Sequence, residues 1–551
     1  MRCLTGLKLK DFCLVSLRYE RNFVKDIVDY CNSQSRNVCV VYGLRRTGKT
    51  YGMLQAIMHL VENNDWDKIC FIDCNKGDEL LELYDNIERL ADEGVKYFFI
   101  DEITFIDDFI DYSSTLANYY SCGGLRVVIS GTNSYALKLA SKDSLFGRCR
   151  FLNTSNISFN EFANVTGRPS VQDFIKFGGL FEEGSVGDPF TPDGFIFSEG
   201  IRDYIDTAVV ENVANSIAEY KDGRYTHGCD LQAIRSYVYS IILSRTHSLI
   251  DKLMNPLKLS ELNGALSLER VNRILGKEGS RALKEKITLK FINAFKYKLD
   301  ITLDPLTAAL VDEALVAIGL LYPAQIIVRN IREYPVTHLT DNILNPIILR
   351  TSITKWILKE LEGYGKPDLY TAVKEMANGY ILEEIIRFEL MQQVEAGNLY
   401  TLQFATSKAS GEIDLVIQEE AILHLYEIKN SSQPVAPQSK HLRNKELLQY
   451  LTDEGYAVKD RVVLYNGETC IYNIKDEDND VDDDIYYKNI TEFLLSVQNL
   501  GKLSSYYLPG VVCERSNRNL FNFKRLYADL AIDAMEDYDK TSLFKDNADK
   551  V

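Results

Sequence analysis

Residues 38–50 read V-C-V-V-Y-G-L-R-R-T-G-K-T, a run of strand formers that breaks into a polar loop between two glycines. From Gly43 to Thr50 the spacing is G-x4-G-K-T. A loop of this kind wraps a phosphate with consecutive backbone N–H groups, where side chains at the glycine positions would be in the way. The chain from Lys49 to about Val61 continues as a helix, because Met53, Leu54, Ile57, Leu60 and Val61 recur on one helical face. That helix points its positive end at the same phosphate. Gly43, Arg46, Thr47, Gly48 and Lys49 are therefore read as a nucleotide cradle. Lys49 reaches the β and γ phosphates, and Thr50 offers a hydroxyl to Mg²⁺.

Working outward, K-I-C-F-I-D-C (68–74), Y-F-F-I-D-E-I (97–103) and R-V-V-I-S-G-T (126–132) are further apolar runs ending in polar residues. An amphipathic helix is expected from about Asp78 to Gly94. Strands apolar on both faces belong to a parallel sheet covered by helices on each side. Asp101 and Glu102 end one such strand. The first carboxylate suits the magnesium shell and the second the polarisation of an attacking water. Ser130-Gly131-Thr132-Asn133 follows the next strand. Thr132 and Asn133 read there either as γ-phosphate sensors or as a strand-end turn. Arg148, in L-F-G-R-C-R (145–150), reads either as a finger completing the nucleotide site of a neighbouring copy or as a surface ion-pair arginine.

Together, Y-G-L-R-R-T-G-K-T, Y-F-F-I-D-E-I, V-I-S-G-T-N, and L-F-G-R followed by I-S-F-N-E-F resemble the AAA+ superfamily. More closely they resemble prokaryotic AAA+ ATP-binding proteins that carry a C-terminal domain of unknown function. The resemblance implies ATP and Mg²⁺ as cofactors, ATP hydrolysis, and a winged-helix segment after the ATPase core.

The chain has 551 residues, 46% hydrophobic and 26% charged, values that fit several globular domains rather than a disordered polymer. A net charge of −17 argues against a nucleic-acid coat protein, though it leaves room for a local basic groove. The 11 cysteines lack paired zinc spacing and read as reduced thiols, with Cys70 and Cys74 as small buried hydrophobes. Met1 to Glu20 lacks the pattern of a signal peptide, and Ala314 to Val328 is too short to span a bilayer. A cytoplasmic location and no membrane partner are expected.

Residues 1–165 are assigned to the ATPase domain and 166–365 to a helical region. Within that region, a strand pair around Ile326 to Leu339 suggests the wing of a winged helix. Residues 366–500 return to mixed helix and strand, with D-E-D-N-D-V-D-D-D (476–484) as a solvated loop and 501–551 as a polar helical tail. In 366–500 three features fall in order. A helix begins near G-Y-I-L-E (379–383), with Ile381, Leu382, Ile385, Ile386 and Leu390 apolar. Two strands follow, G-E-I-D-L-V-I (411–417) and L-H-L-Y-E-I-K (423–429). Alternation puts Glu427 and Lys429 on one face. With Asp414 on the neighbouring strand, two hard oxygen ligands and an ammonium converge, the set needed to hold Mg²⁺ or Mn²⁺ against a phosphate and to position a water.

Glu383, Asp414, Glu427 and Lys429 in this order resemble the restriction-endonuclease-like PD-(D/E)xK superfamily. The resemblance implies an α/β nuclease-like domain acting on nucleic acid. Fold alone does not deliver activity, so a binding scaffold in which these residues form an ordinary ion-pair cluster stays open. The basic stretches K-H-L-R-N-K (440–445) and R-N-I-R (329–332) read as phosphate contacts or as solvated surface. The expected whole is an AAA+ ATPase joined to a nuclease-like domain, with Arg148 implying a homo-oligomer. The alternative is a regulatory ATPase whose C-terminal fold only binds a partner.

Overall fold

A computed structural model gives the fold. It describes residues 1–13, 20–106, 113–121, 123–131, 147–154, 156–167, 170–180, 209–214, 231–254, 303–331, 333–353, 357–363, 365–394, 397–407, 410–475 and 482–497, with isolated residues between them. Thr132 and the 501–551 tail lie outside the described residues.

The first layer is a six-stranded sheet: β1 (Arg2–Leu4), β2 (Val38–Tyr42), β3 (Ile69–Asp73), β4 (Tyr97–Asp101), β5 (Arg126–Ser130) and β6 (Cys149–Asn153). Their order is β1-β3-β4-β5-β2-β6, parallel except for β1, which runs antiparallel to β3. Alternation sends Val40, Ile72, Ile100 and Ile129 to one face, against Leu83, Ile87 and Leu90 of α4 (Leu80–Asp92). Val41, Phe71, Phe99 and Val128 go to the other. There they meet Leu9 of α1 (Gly6–Cys13), Val24 and Ile27 of α2 (Val24–Asn32), and Met53, Leu54, Ile57 and Leu60 of α3 (Lys49–Leu60). Burial on both faces is why these strands read as continuous apolar runs. Cys70 and Cys74 are buried in this core.

Beyond β6 come α5 (Phe159–Thr166), α6 (Val171–Phe177), α7 (Leu231–Met254) and α8 (Pro305–Ala317). The strand pair expected in the middle region is β7 (Leu321–Asn330) with β8 (Glu333–Leu344). It does not stand free as a wing. After α9 (Pro346–Ile353) and α10 (Pro367–Met391), β9 (Leu399–Ala405) pairs in parallel with β7. The hairpin thus extends the C-terminal sheet, whose order is β13-β14-β12-β11-β10-β9-β7-β8. Its other strands are β10 (Ser410–Glu419), β11 (Ile422–Ile428), β12 (Ala457–Tyr465), β13 (Cys470–Lys475) and β14 (Asp482–Asn489). β9, β10 and β11 are antiparallel neighbours, and α11 (Lys445–Asp453) returns the chain to lay β12 parallel to β11. α12 (Ile490–Val497) closes the described chain.

The acidic run is only partly the loop expected of it. Asp482, Asp483 and Asp484 open β14 and pair with Lys475, Ile474 and Asn473, while 476–481 lie outside the described residues. One apolar core runs from Ile157, Phe159 and Phe162 through Ile347 and Ile348 to Ile381, Ile385, Leu415 and Leu464. It includes Leu44 of the ATP loop and joins α5 and α6 to α10 and the C-terminal sheet, while the strands of the first sheet pack in two cores of their own.

Candidate functional site

The loop after β2 carries a backbone that its sequence demands. Gly43 has φ +146°, and a Cβ there would sit 2.5 Å from the carbonyl oxygen of Thr154. Gly48 has φ +80°, a left-handed conformation that glycine adopts without steric penalty. Arg46 (φ 65°) and Glu102 (φ 54°) adopt it without being glycine. Such strain, of order 1–3 kcal/mol each, persists where the surroundings impose it, and here it flanks the loop on two sides. Lys49 is buried, its Nζ donating to the carbonyls of Gly43 (3.0 Å) and Leu44 (2.9 Å). Burial pushes its pKa down to about 8, against the opposing charges of Glu102 and Asp101. Thr47 is buried, its hydroxyl donating to the carbonyl of Leu44 (2.9 Å) and lying 2.9 Å from Thr154 Oγ1. Its side chain shapes the loop from behind.

Because β5 lies between β2 and β4, the ends of three strands meet at the loop. Thr50 donates its hydroxyl to Asp101 Oδ2 at 2.6 Å, and Ser130 at the end of β5 donates to Asp101 Oδ1. Thr50 and Asp101 are thus side by side, as a shared magnesium shell requires. Glu102, just after β4, acts on Lys49 electrostatically. Asn133 is half-buried, its backbone N–H donating to Thr104 Oγ1 at 3.2 Å. Arg148 is exposed just before β6, its carbonyl accepting from Val38 N at 2.9 Å.

Two site residues escaped the sequence reading. Arg21 is buried and donates to the backbone carbonyl of Thr47 in the loop. Its Nε also donates to Glu161 Oε1 at 2.8 Å. Glu161 accepts in addition from the backbone of Asn22 (2.7 Å) and of Ser158 (3.0 Å). Burial works against its charge, but Arg21 and these donors hold the Glu161 carboxyl below the usual range. S-F-N-E (158–161) has the form of a capping box, which signals a helix start but says nothing of a partner 140 residues earlier.

The C-terminal residues converge as their spacing implies. Lys429 Nζ lies 2.6 Å from Glu427 Oε2 and 3.1 Å from Asp414 Oδ2, and the backbone N–H of Ile428 donates to that same Asp414 oxygen at 2.7 Å. Asp414 sits where the register of β10 against β9 shifts, between Ile413 and Val416. Glu427 is buried, and among the described residues its Oε1 meets no hydrogen-bond donor, while the Asp414 carboxyl lies within hydrogen-bonding reach of the Glu427 carboxyl. Burial and then the charge of Asp414 push the Glu427 carboxyl well up, against the opposing effect of Lys429. Burial works against the charge of Lys429 too, but the two carboxylates override it and hold the ammonium above the ordinary lysine range. Glu383 on α10 adds to that field. Among the described residues no three or more His, Cys, Asp or Glu side chains gather as a metal-holding group.

Behind the site, Arg387 donates to Thr401 Oγ1 (3.0 Å) and to the carbonyl of Asp414 (3.3 Å), pinning the irregular stretch of β10 from α10. Arg387 is itself paired with Glu384 at 2.9 Å, whose other oxygen takes the Tyr322 hydroxyl at 2.5 Å. His441 stands against Gly411, where a Cβ would lie 2.4 Å from its Nδ1. Burial, then Lys429, pushes its pKa down.

Within the basic stretches, Arg443 and Arg329 are engaged inside the protein, and Arg332 lies outside the described residues. Arg443 donates to Ser439 Oγ and to the carbonyl of Ala436, both at 3.2 Å, and Arg329 is buried over the rings of Tyr450 and Tyr456. Lys440 and Lys445 remain exposed. Tyr450 packs, while Gln449 is exposed and donates to Asp453 at 2.8 Å.

With this geometry described, the likenesses can be placed. Residues 35–163, from just before β2 into α5, match the family model of an AAA domain. A curated relative, the uncharacterized protein MJ1544 of Methanocaldococcus jannaschii, is 26% identical over 282 residues, 47% of this chain and 57% of the relative. Among solved structures, the Saccharomyces cerevisiae Hsp104:casein complex in its extended conformation is 12% identical, with 59% of this chain and 54% of that one covered at a TM-score of 0.24. The Aeropyrum pernix ORC1 protein in complex with DNA is 12% identical, with 63% and 98% covered at a TM-score of 0.16. The chain spans little more than half the length of the curated relative and of Hsp104. Overlays at such scores carry no argument about function. Among the described residues, no helix is long and apolar enough to cross a membrane.

Proposed function

We propose that this protein hydrolyses ATP at the Gly43–Thr50 loop and thereby governs a metal-dependent phosphodiesterase site of the PD-(D/E)xK kind at Asp414, Glu427 and Lys429. At the loop, Lys49 exchanges its carbonyl partners for the β and γ phosphates. Thr50 and Asp101 would hold Mg²⁺, whose charge offsets that developing on the transferred phosphoryl group. Glu102 orients the attacking water. Arg148 is exposed, as a finger for a neighbouring copy's nucleotide must be, and it would serve that role in an assembly.

For the C-terminal site, the observation that carries the reading is the buried Oε1 of Glu427, which meets no donor among the described residues, beside Asp414 and Lys429. A buried carboxylate oxygen with no donor is costly unless a cation or proton joins it. The two carboxylates suit Mg²⁺ or Mn²⁺, which when bound would neutralise charge on a scissile phosphate. Lys429 would orient the water. The order α10-β9-β10-β11-α11-β12, with β12 parallel to β11, further supports a nuclease-like domain. The second reading, a regulatory ATPase with a C-terminal binding scaffold, draws support from the closed Asp414–Lys429–Glu427 cluster, which already neutralises part of the site.

The test is cleavage of single- and double-stranded DNA and RNA with Mg²⁺ or Mn²⁺, with and without ATP. Wild type runs beside Asp414→Ala, Lys49→Ala and Arg148→Ala. Cutting that vanishes in Asp414→Ala and depends on Lys49 is expected. Arg148→Ala is expected to lose hydrolysis while still binding ATP. No cutting under any condition, with ATP still hydrolysed, selects the second reading.

A further inference from the structure

α10 carries two sets of contacts on opposite sides. Towards the C-terminal sheet it presents Glu383 and Arg387, four residues and therefore one turn apart, with Arg387 on the Asp414 carbonyl. Six residues beyond Glu383, and so turned away from it, Glu389 accepts from the backbone N–H of Phe159 at 3.0 Å. Phe159 is the first residue of α5, whose cap is Ser158 and whose third residue is Glu161. Glu161 holds Arg21, and Arg21 holds the carbonyl of Thr47 inside the ATP loop. Hydrogen bonds, the short backbone link from Glu161 back to Phe159 and about half a turn of α10 from Glu389 to Arg387 therefore connect the loop to the Asp414 carbonyl. Its seam is tight elsewhere too: Asn156 Nδ2 donates to Asn345 Oδ1 at 2.9 Å, and Arg350 donates to the carbonyl of Gly178 at 2.8 Å.

The loop at one end of this chain is held in one arrangement that a bound nucleotide would have to change. Lys49 now caps the carbonyls of Gly43 and Leu44, and Leu44 also takes the Thr47 hydroxyl. A nucleotide that draws Lys49 onto its phosphates releases those carbonyls, and Thr47, the residue Arg21 grips, is bonded to one of them. Coupling between two sites requires such an element whose equilibrium both ends bias.

We propose that Glu389 is the positioning residue through which the nucleotide state of the loop sets the geometry of the Asp414–Glu427–Lys429 site, acting through α10 on Glu383 and Arg387. Glu389 itself touches neither nucleotide nor the reacting phosphate. The proposal deepens the reading above and rests on it for the identity of the governed site, not for the coupling.

The experiment is hydrogen–deuterium exchange on the full chain, read in peptides spanning 411–430, with and without a non-hydrolysable ATP analogue at saturation. Those peptides contain the Ile428 amide that donates to Asp414. In wild type the analogue is expected to change exchange there by about fivefold or more, the lower end of ordinary allosteric coupling. Glu389→Gln keeps an acceptor for Phe159 N–H and is expected to retain the response. Glu389→Leu, which has none, is expected to lose it while still binding the analogue. Should Glu389→Leu fail to fold, Arg21→Lys at saturating analogue breaks the chain at its other end and is expected to lose the response as well. A wild-type response preserved in the variants that fold overturns the proposal, as does a wild type that binds the analogue and shows no change. Cleavage is scored separately. Absent cutting with an intact exchange response removes the nuclease and leaves the coupling. Cutting indifferent to ATP, with no exchange response, removes the coupling and leaves the nuclease.

Discussion

Lys49 is held between two demands at the residue scale. Its position in the loop buries it, and the two backbone carbonyls that hold it are weaker partners for an ammonium than phosphate is. With a pKa pushed down to about 8 from an ordinary value near 10.5, the free protein holds it largely neutral in the window between. The folded value lies below the unfolded one, so the unfolded chain binds more protons there, and this residue's contribution to stability rises with pH through that window. ATP reverses the balance, because phosphate favours the protonated form. Binding at pH 9 should therefore take up close to one proton per ATP, an estimate of about one from the size of the shift. Calorimetric titration at pH 9 in two buffers of different ionisation enthalpy reads this directly, and identical enthalpies in both would refute it. Residues of this kind were legible in the sequence because their chemistry is local: Gly43, Lys49 and Thr50 lie within one turn of chain, and Asp101 ends its own apolar run. Arg21 and Glu161 were not legible, since each is an ordinary charged residue until folding brings them together across 140 positions.

At the scale of elements, α5 matters more than its eight residues suggest. Ser158 Oγ accepts from Glu161 N at 3.2 Å, and Glu161 Oε2 returns to the Ser158 backbone, so the cap also fixes the carboxylate that grips Arg21. Ser158→Ala removes a helix cap worth about 1 kcal/mol. It should lower stability by that amount in a denaturant titration and also weaken ATP binding, because Glu161 loses its restraint. Lost stability with unchanged ATP affinity would show the cap to be merely structural. The apolar strands β2 to β5 could be read from sequence because burial on both faces leaves an unbroken hydrophobic signature. β6 could not: C-R-F-L-N (149–153) has no such run, and its pairing with β2 is non-local. The β7–β8 hairpin was visible as two strands, but only the pairing of Gln325–Asn330 with Tyr400–Ala405, over 70 residues on, makes it part of the C-terminal sheet. Local pattern sets strand identity, while sheet membership depends on which edge is free when the chain returns.

At the scale of the whole described molecule, α10 is a strut of about 38 Å, from its 25 residues at 1.5 Å each, whose apolar face joins the core that runs from α5 to the C-terminal sheet. E-E-I-I-R-F-E-L (383–390) gives no hint that its third glutamate differs from the first two, because the second partner surface exists only after α5 docks. Glu389 keeps some exposed surface, yet protein surrounds its carboxyl, and burial pushes its pKa up to about 8 against the opposing hydrogen bond from Phe159. An unfolded glutamate releases its proton near 4.5, whereas this one keeps it until about 8, so across that window the folded chain binds more protons than the unfolded one. Stability attributable to Glu389 must then fall as pH rises from 4.5 to 8, by up to about 1.4 kcal/mol per unit. Glu389→Gln does not titrate and keeps an acceptor for the Phe159 amide. Its melting temperature relative to wild type should therefore climb between pH 5 and pH 8, with all other titrating groups common to both proteins and cancelling in the difference. A difference that stays constant over that range would mean the carboxylate is solvated at the seam. The joint between the segment after β6 and the C-terminal part would then be held by its apolar contacts and by Asn156 and Arg350, without Glu389.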